Sequence, residues 1–124
     1  SNWNWSILKK MPSVKLMSGD SFDFDFKPDV IIDGIFGTGI SGEIREPYAS
    51  AINYINQIDC YKFAVDVPSG LNPQTGGTAN IFTKCDMTVT FHKMKQGIPK
   101  RKDLTGELYV EKIGIPPEAE EGIL

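Results

Sequence analysis

Two aspartates and a run of glycines are the residues of this chain best suited to chemistry. Asp33 interrupts the apolar β-branched run Val30-Ile31-Ile32, which Gly34-Ile35-Phe36 resumes, and Asp66 follows the largely apolar run Tyr61-Lys62-Phe63-Ala64-Val65. An unpaired carboxylate is costly to bury, so each must accept hydrogen bonds, meet a cation or hold a proton. Between them lies Gly37-Thr38-Gly39-Ile40-Ser41-Gly42, whose glycines allow a sharp turn and bring backbone N–H groups close to a ligand. Glu46-Pro47 follows, with proline placed for the first turn of a helix. Strand, glycine loop and helix start together favour an anion, because uncapped N–H groups and the helix dipole both attract phosphate. A ligand is expected here. An aspartate with a serine hydroxyl also suits a hard cation that takes oxygen ligands.

Quieter readings stay open beside these. Asp66 could cap the Pro68-Ser69-Gly70 corner as an Asx turn, and Asp33 could simply bond loop amides. The glycine run matches the G-x-G-x-x-G dinucleotide fingerprint literally, with Asp66 lying 24 residues beyond Gly42 as its ribose-binding acid. In that fingerprint, however, the helix begins among the glycines. Here Pro47 cannot lie past the first helical turn, and it stands five residues beyond Gly42. A different nucleotide or anion loop, or a purely structural turn, fits the spacing better. His92 has no Ser-His-Asp spacing around it and reads as structural. Residues 93–105 hold five cations against one anion and read as a solvated basic loop.

The elements that must position these residues follow from the hydrophobic pattern. Ser1–Lys10 is loosely helical and stops at Pro12. Val14–Met17 reads as a short strand, and Phe22, Phe24 and Phe26 alternate with acids as a half-buried extended segment. The run from Val30 to Phe36, interrupted at Asp33, reads as the buried-type strand before the glycines. Tyr48, Ala51, Ile52, Ile55 and Ile58 make one apolar stripe on a helix over 47–58. Tyr61–Val65, Asp86–Phe91 and Gly106–Ile113 are strands, and 71–80 is a loop. The order predicts an α/β sheet with parallel pairing through the 47–58 helix. One or two helices are too few to cover both faces of five or six parallel strands. Either the later strands form an antiparallel edge, or the chain is part of a larger domain.

Composition narrows the class. The 124 residues, 40% of them hydrophobic, suit at most one domain with a core. A net charge of −3 argues against nucleic-acid binding, which needs a basic face. No apolar run approaches the ~20 residues of a membrane span. Cys60 and Cys85 form no C-x-x-C pair and read as free thiols of a reducing cytoplasm.

Several motifs in register carry a more specific signal. Asp33-Gly34-Ile35-Phe36-Gly37-Thr38-Gly39, Arg45-Glu46-Pro47-Tyr48 and Val65-Asp66-Val67-Pro68-Ser69-Gly70-Leu71 come first. Thr88-Val89-Thr90-Phe91 with Lys95 and Gly97, Gly106-Glu107-Leu108 and Ile113-Gly114-Ile115-Pro116 follow. In order and spacing these resemble the YjeF N-terminal domain family, which includes the NAD(P)HX epimerases. The resemblance covers roughly 29–116.

The resemblance implies a three-layer α/β/α Rossmann-like sandwich and a repair activity. That activity interconverts the R and S epimers at C6 of hydrated NADH or NADPH, so that a dehydratase can restore the S form. Carried onto this chain, Gly37, Thr38, Gly39, Ile40, Ser41, Gly42 and Glu43 would line the phosphate and ribose, with Tyr48 in contact. Asp66 would bind substrate and do acid/base work, while Asp33 and Ser69 would help hold a potassium ion. The family's Asn-Asn-Gly-Gly-Asp-Gly loop has no match in 1–28. The chain is therefore expected to be the C-terminal part of the domain over 1–116, incomplete without an N-terminal part. Residues 117–124 would be a tail towards a fused or separate dehydratase. A cytoplasmic homo-oligomer acting on NADHX and NADPHX is the expectation. The rival is a non-catalytic nucleotide-binding or protein-interaction scaffold of the same fold.

Overall fold

A computed structural model describes residues 2–14, 27–37 and 42–112. The strand readings over 15–17 and at Phe22–Phe26, and the acidic tail, lie outside these residues. The described elements in order are helix α1 (Asn2–Lys9), strand β1 (Val30–Asp33), helix α2 (Tyr48–Gln57), strands β2 (Tyr61–Val65) and β3 (Met87–Phe91), helix α3 (Lys102–Thr105) and strand β4 (Glu107–Glu111).

α1 carries Lys9 in its last turn, where a cation meets the negative end of the helix dipole. α2 begins directly after Pro47, and the Ser50 N–H donates to the Glu46 carboxylate at 3.1 Å. Its Ile52 and Ile55 are buried, whereas Tyr48, read as part of the same stripe, is half exposed. A dehydrogenase domain would have started this helix among the glycines, so the α2 start at Tyr48 argues against that reading.

The four strands form one sheet in the order β1-β2-β3-β4, with every neighbouring pair parallel. This overturns the antiparallel edge. β4 runs parallel to β3, with Met87 opposite Glu107 and Phe91 opposite Glu111. A parallel partner needs a crossover rather than a hairpin, and residues 92–106 supply it. The stretch read as a solvated basic loop holds a 3₁₀ turn (Pro99–Arg101) and α3, with Ile98, Leu104 and Thr105 fully buried. Lys93, Lys100 and Lys102 are exposed, Lys95 and Arg101 fold back onto the chain, and the two apolar anchors Ile98 and Leu104 are too widely spaced to give a period.

The crossover ends at Gly106, whose φ of 64° and ψ of −141° belong to glycine alone. A Cβ there would stand 2.1 Å from the Asp86 carbonyl oxygen. Alternation sorts the sheet's two faces. One face buries Asp33, Ala64, Thr88 and Thr90; the other exposes Val30, Ile32, Tyr61 and Tyr109.

Both cysteines are free, Cys60 half-buried and Cys85 buried. Burial pushes the Cys85 thiol up to about 12 from an ordinary 9.0, against a hydrogen bond to Thr83 and with the charges of Asp33 and Asp86 adding. The unfolded thiol ionises first, so between pH 9 and 12 the unfolded chain binds fewer protons than the folded one. Stability should therefore be fully present below pH 9 and fall as pH rises through 12, by at most ~1.4 kcal/mol per pH unit from this group. Urea unfolding of the full-length protein across that range, against a Cys85→Ala variant, measures it. Equal slopes in the two would remove Cys85 from the effect.

Candidate functional site

In a parallel sheet all strands end on the same side, and there the chemistry-bearing residues gather. Asp33 ends β1, Asp66 follows β2, and Thr90 and Phe91 end β3.

Asp33 is 1% exposed and takes hydrogen bonds at both oxygens. The Ser69 hydroxyl donates to Oδ1 at 2.6 Å and the Ser69 N–H to Oδ2 at 2.8 Å. Thr83 Oγ1 donates to Oδ2 at 2.5 Å, and the Ile35 N–H donates to Oδ1 at 3.3 Å. The Ser69 hydroxyl also accepts the Phe36 N–H at 3.1 Å. Asp33 and Ser69 thus fasten the chain that leaves β1 to the Pro68-Ser69-Gly70 corner after β2. Gly70 is required there, because its φ is 91° and a Cβ would stand 2.3 Å from the Ile81 carbonyl oxygen.

Asp66 has a different environment. Its φ of 75° is left-handed, a backbone region sparsely used by residues other than glycine and favoured at functional sites. Its N–H still donates to the Val89 carbonyl at 2.7 Å, so the turn happens at the edge of the sheet ladder. Oδ1 accepts from Thr90 Oγ1 at 3.2 Å and from the Phe91 N–H at 3.5 Å. Lys95 Nζ lies 3.6 Å from the same oxygen. Oδ2 faces the glycine segment, where a Cβ on Gly37 would stand 3.5 Å from it. Asp66 is therefore anchored through one oxygen and presents the other towards Gly37.

Thr38, Gly39, Ile40 and Ser41 lie outside the described residues, so the glycine run is described only at its ends. Gly37 adjoins Asp66, and Gly42 (φ 79°) opens into a cleft of about 290 Å³ lined by Gly70, Asn72, Thr75, Gly77, Thr78 and Ala79. Glu43 is exposed. Asn80 pins the exit of the run, since its side chain accepts the Ile44 N–H at 2.8 Å and donates to the Ile44 carbonyl at 3.0 Å. Tyr48 sets its ring edge-on to Phe36, centroids 5.2 Å apart, beside the residue that precedes Gly37.

Sequence reasoning brought Asp33, Ser69, Asp66, Gly37 and Tyr48 to this edge; it missed Lys95 and Thr90 as partners of Asp66, Thr83 as a partner of Asp33, and Asn80 as the anchor of Ile44. Thr90 carried a signal, being a polar residue in strict strand alternation. Thr83 and Asn80 sit in irregular chain with no local pattern to single them out.

The donor set fits a hard cation in type. The Asp33 carboxylate and the Ser69 and Thr83 hydroxyls are all oxygen groups, and the four donors to Asp33 are neutral, solvating its charge without cancelling it. Among the described residues no three His, Cys, Asp or Glu side chains come together to hold a metal ion.

The family model described as "YjeF-related protein N-terminus" matches residues 1–97. The chain belongs to that family. The match takes in 1–28, where no motif of the YjeF-related family was legible. The chain is 90% identical over its whole length to the NAD(P)H-hydrate epimerase of Nitrosopumilus maritimus and 68% identical to that of Cenarchaeum symbiosum, and covers 58% of each. It is 47% identical over 127 aligned residues to the bifunctional NAD(P)H-hydrate repair enzyme of Methanothermobacter thermautotrophicus, covering 24% of it. The chain thus spans somewhat over half the length of its YjeF-related epimerase relatives. Among the described residues no helix is long and apolar enough to cross a membrane.

Proposed function

We propose that this chain carries the acid/base edge of an NAD(P)H-hydrate epimerase, which interconverts the R and S epimers at C6 of hydrated NADH and NADPH. The observation that carries the reading is Asp66, in a left-handed turn, with Oδ1 anchored and Oδ2 turned to Gly37. Gly37, Thr38, Gly39, Ile40, Ser41, Gly42 and Glu43 line the phosphate and ribose of the substrate, and Tyr48 contacts it. Asp66 gives a proton to the C6 hydroxyl, which leaves as water. The ring nitrogen shares the resulting positive charge, and water returns on either face, giving its proton back to the same carboxylate. No proton is gained or lost over the cycle.

Asp33 and Ser69 would hold a potassium ion, which supplies positive charge beside the buried Asp33 when bound. An N-terminal part of the domain would complete the site in a homo-oligomer, and a dehydratase, fused or separate, would consume the S epimer. The names of the bifunctional relatives support the last. Two free thiols agree with a reducing compartment such as the cytoplasm.

The test is to give the full-length protein one purified epimer of hydrated NADH and follow the other by chromatography. Equilibration of the two faster than in protein-free buffer is expected. A rate equal to the spontaneous one would remove the reading.

A further inference from the structure

The two oxygens of Asp66 have different surroundings, and the difference comes from the far end of β3. The chain turns back at His92, whose φ is 70°, with its N–H donating to the Glu111 carbonyl at 2.7 Å. That reversal returns Lys95 over the end of the strand it has just left. Lys95 Nζ then donates to the Phe91 carbonyl at 3.1 Å and to Thr90 Oγ1 at 3.5 Å, and lies 3.6 Å from Asp66 Oδ1. Both side chains of this pair are about one-fifth exposed, 23% for Lys95 and 21% for Asp66. Solvent therefore screens the pair less than a surface pair.

We infer that Lys95 is a positioning residue for Asp66, holding Oδ1 so that Oδ2 is the oxygen that meets the substrate. The assignment rests on the epimerase reading above. The ammonium is itself fixed by the Phe91 carbonyl and Thr90, so it serves as a stationary post for the carboxylate. A carboxylate swings easily about its last torsion. Without the ammonium, Thr90 and the longer Phe91 contact alone oppose that swing, and Oδ2 loses its fixed place beside Gly37.

The experiment is a cycle of variants in the full-length protein: Lys95→Met, Lys95→Arg, Asp66→Asn and the Lys95→Met/Asp66→Asn pair. Lys95→Met should lower kcat by roughly 10–100-fold, the scale of misplacing a reacting group by about an ångström, with KM changed much less. Lys95→Arg should recover most of the loss, since it keeps the charge at the same carboxylate. In the Asp66→Asn background, Lys95→Met should cost nothing further, because its effect passes through Asp66. Independent losses that multiply, or a Lys95→Met kcat within twofold of the parent, would overturn the role. If Lys95→Met does not fold, Lys95→Gln, which keeps a donor without the charge, carries the same comparison. Loss of epimerisation in Asp66→Asn beside unaffected Lys95 variants would sink this inference and leave the epimerase reading standing. A parent protein without epimerase activity would remove both.

Discussion

Asp66→Asn in the full-length protein should slow epimerisation by roughly 100-fold or more, the loss expected when a general acid–base group is removed. That factor corresponds to about 2.7 kcal/mol of transition-state stabilisation. Asparagine is the informative replacement. It has the shape of aspartate and, like aspartate, tolerates the left-handed φ of 75°, so the corner after β2 should survive. Its amide oxygen can still accept from Thr90 and Lys95 at the Oδ1 position. What it lacks is an oxygen facing Gly37 that can give and take back a proton. Alanine would confound the result, because it pays for the left-handed backbone with no local hydrogen bond. The measurement is kcat and KM on a single epimer, with the melting temperature as the control for folding. Turnover equal to the parent's would take Asp66 out of the chemistry.

The parts of this site legible in the sequence are those whose signals are local. β2 was read at its observed bounds because a run ending in Val65 is punctuated at once by Asp66, Pro68 and Gly70. α2 was bracketed by Pro47 and by the spacing of Ile52 and Ile55. Two acids in or at the end of apolar runs announced their own cost of burial, although β1 stops at Asp33 instead of running on to Phe36. The rest depended on pairings distant in sequence. Thr83 reaches Asp33 across 50 positions, and Asn80 reaches Ile44 across 36. Nothing in an irregular segment foretells such a partner. The crossover was misread for a related reason: Lys100, Arg101 and Lys102 dominate its composition, while Ile98 and Leu104 decide where it lies. Asp33 shows the limit of arguing from cost alone. The sequence demanded hydrogen bonds, a cation or a proton without ranking them, and in the structure neutral N–H and O–H donors already occupy both oxygens.

That occupation predicts the opposite phenotype for the other aspartate. Asp33→Asn should chiefly destabilise the protein. Four donors converge on a carboxylate that is 1% exposed, two of them, the Ser69 N–H and Thr83 Oγ1, on Oδ2. An asparagine offers one acceptor oxygen and brings an NH2 group to the other position; there the Thr83 hydroxyl can turn to accept, but the Ser69 N–H can only donate and meets a donor. A buried donor without an acceptor costs about 1–3 kcal/mol. For a protein of the relatives' size, ~2–4 °C per kcal/mol makes this a drop of roughly 2–12 °C in melting temperature. The corner that Ser69 fastens also places Asp66, three positions earlier, so activity should fall as the protein loosens and should return in part on cooling. The two substitutions therefore separate the two carboxylates: Asp66→Asn lowers kcat at a preserved melting temperature, and Asp33→Asn lowers the melting temperature first. Equal melting temperatures for Asp33→Asn and the parent would mean that the bonds around Asp33 do not hold the corner. In that case its place beside Ser69 would be better explained by a bound cation than by the fold.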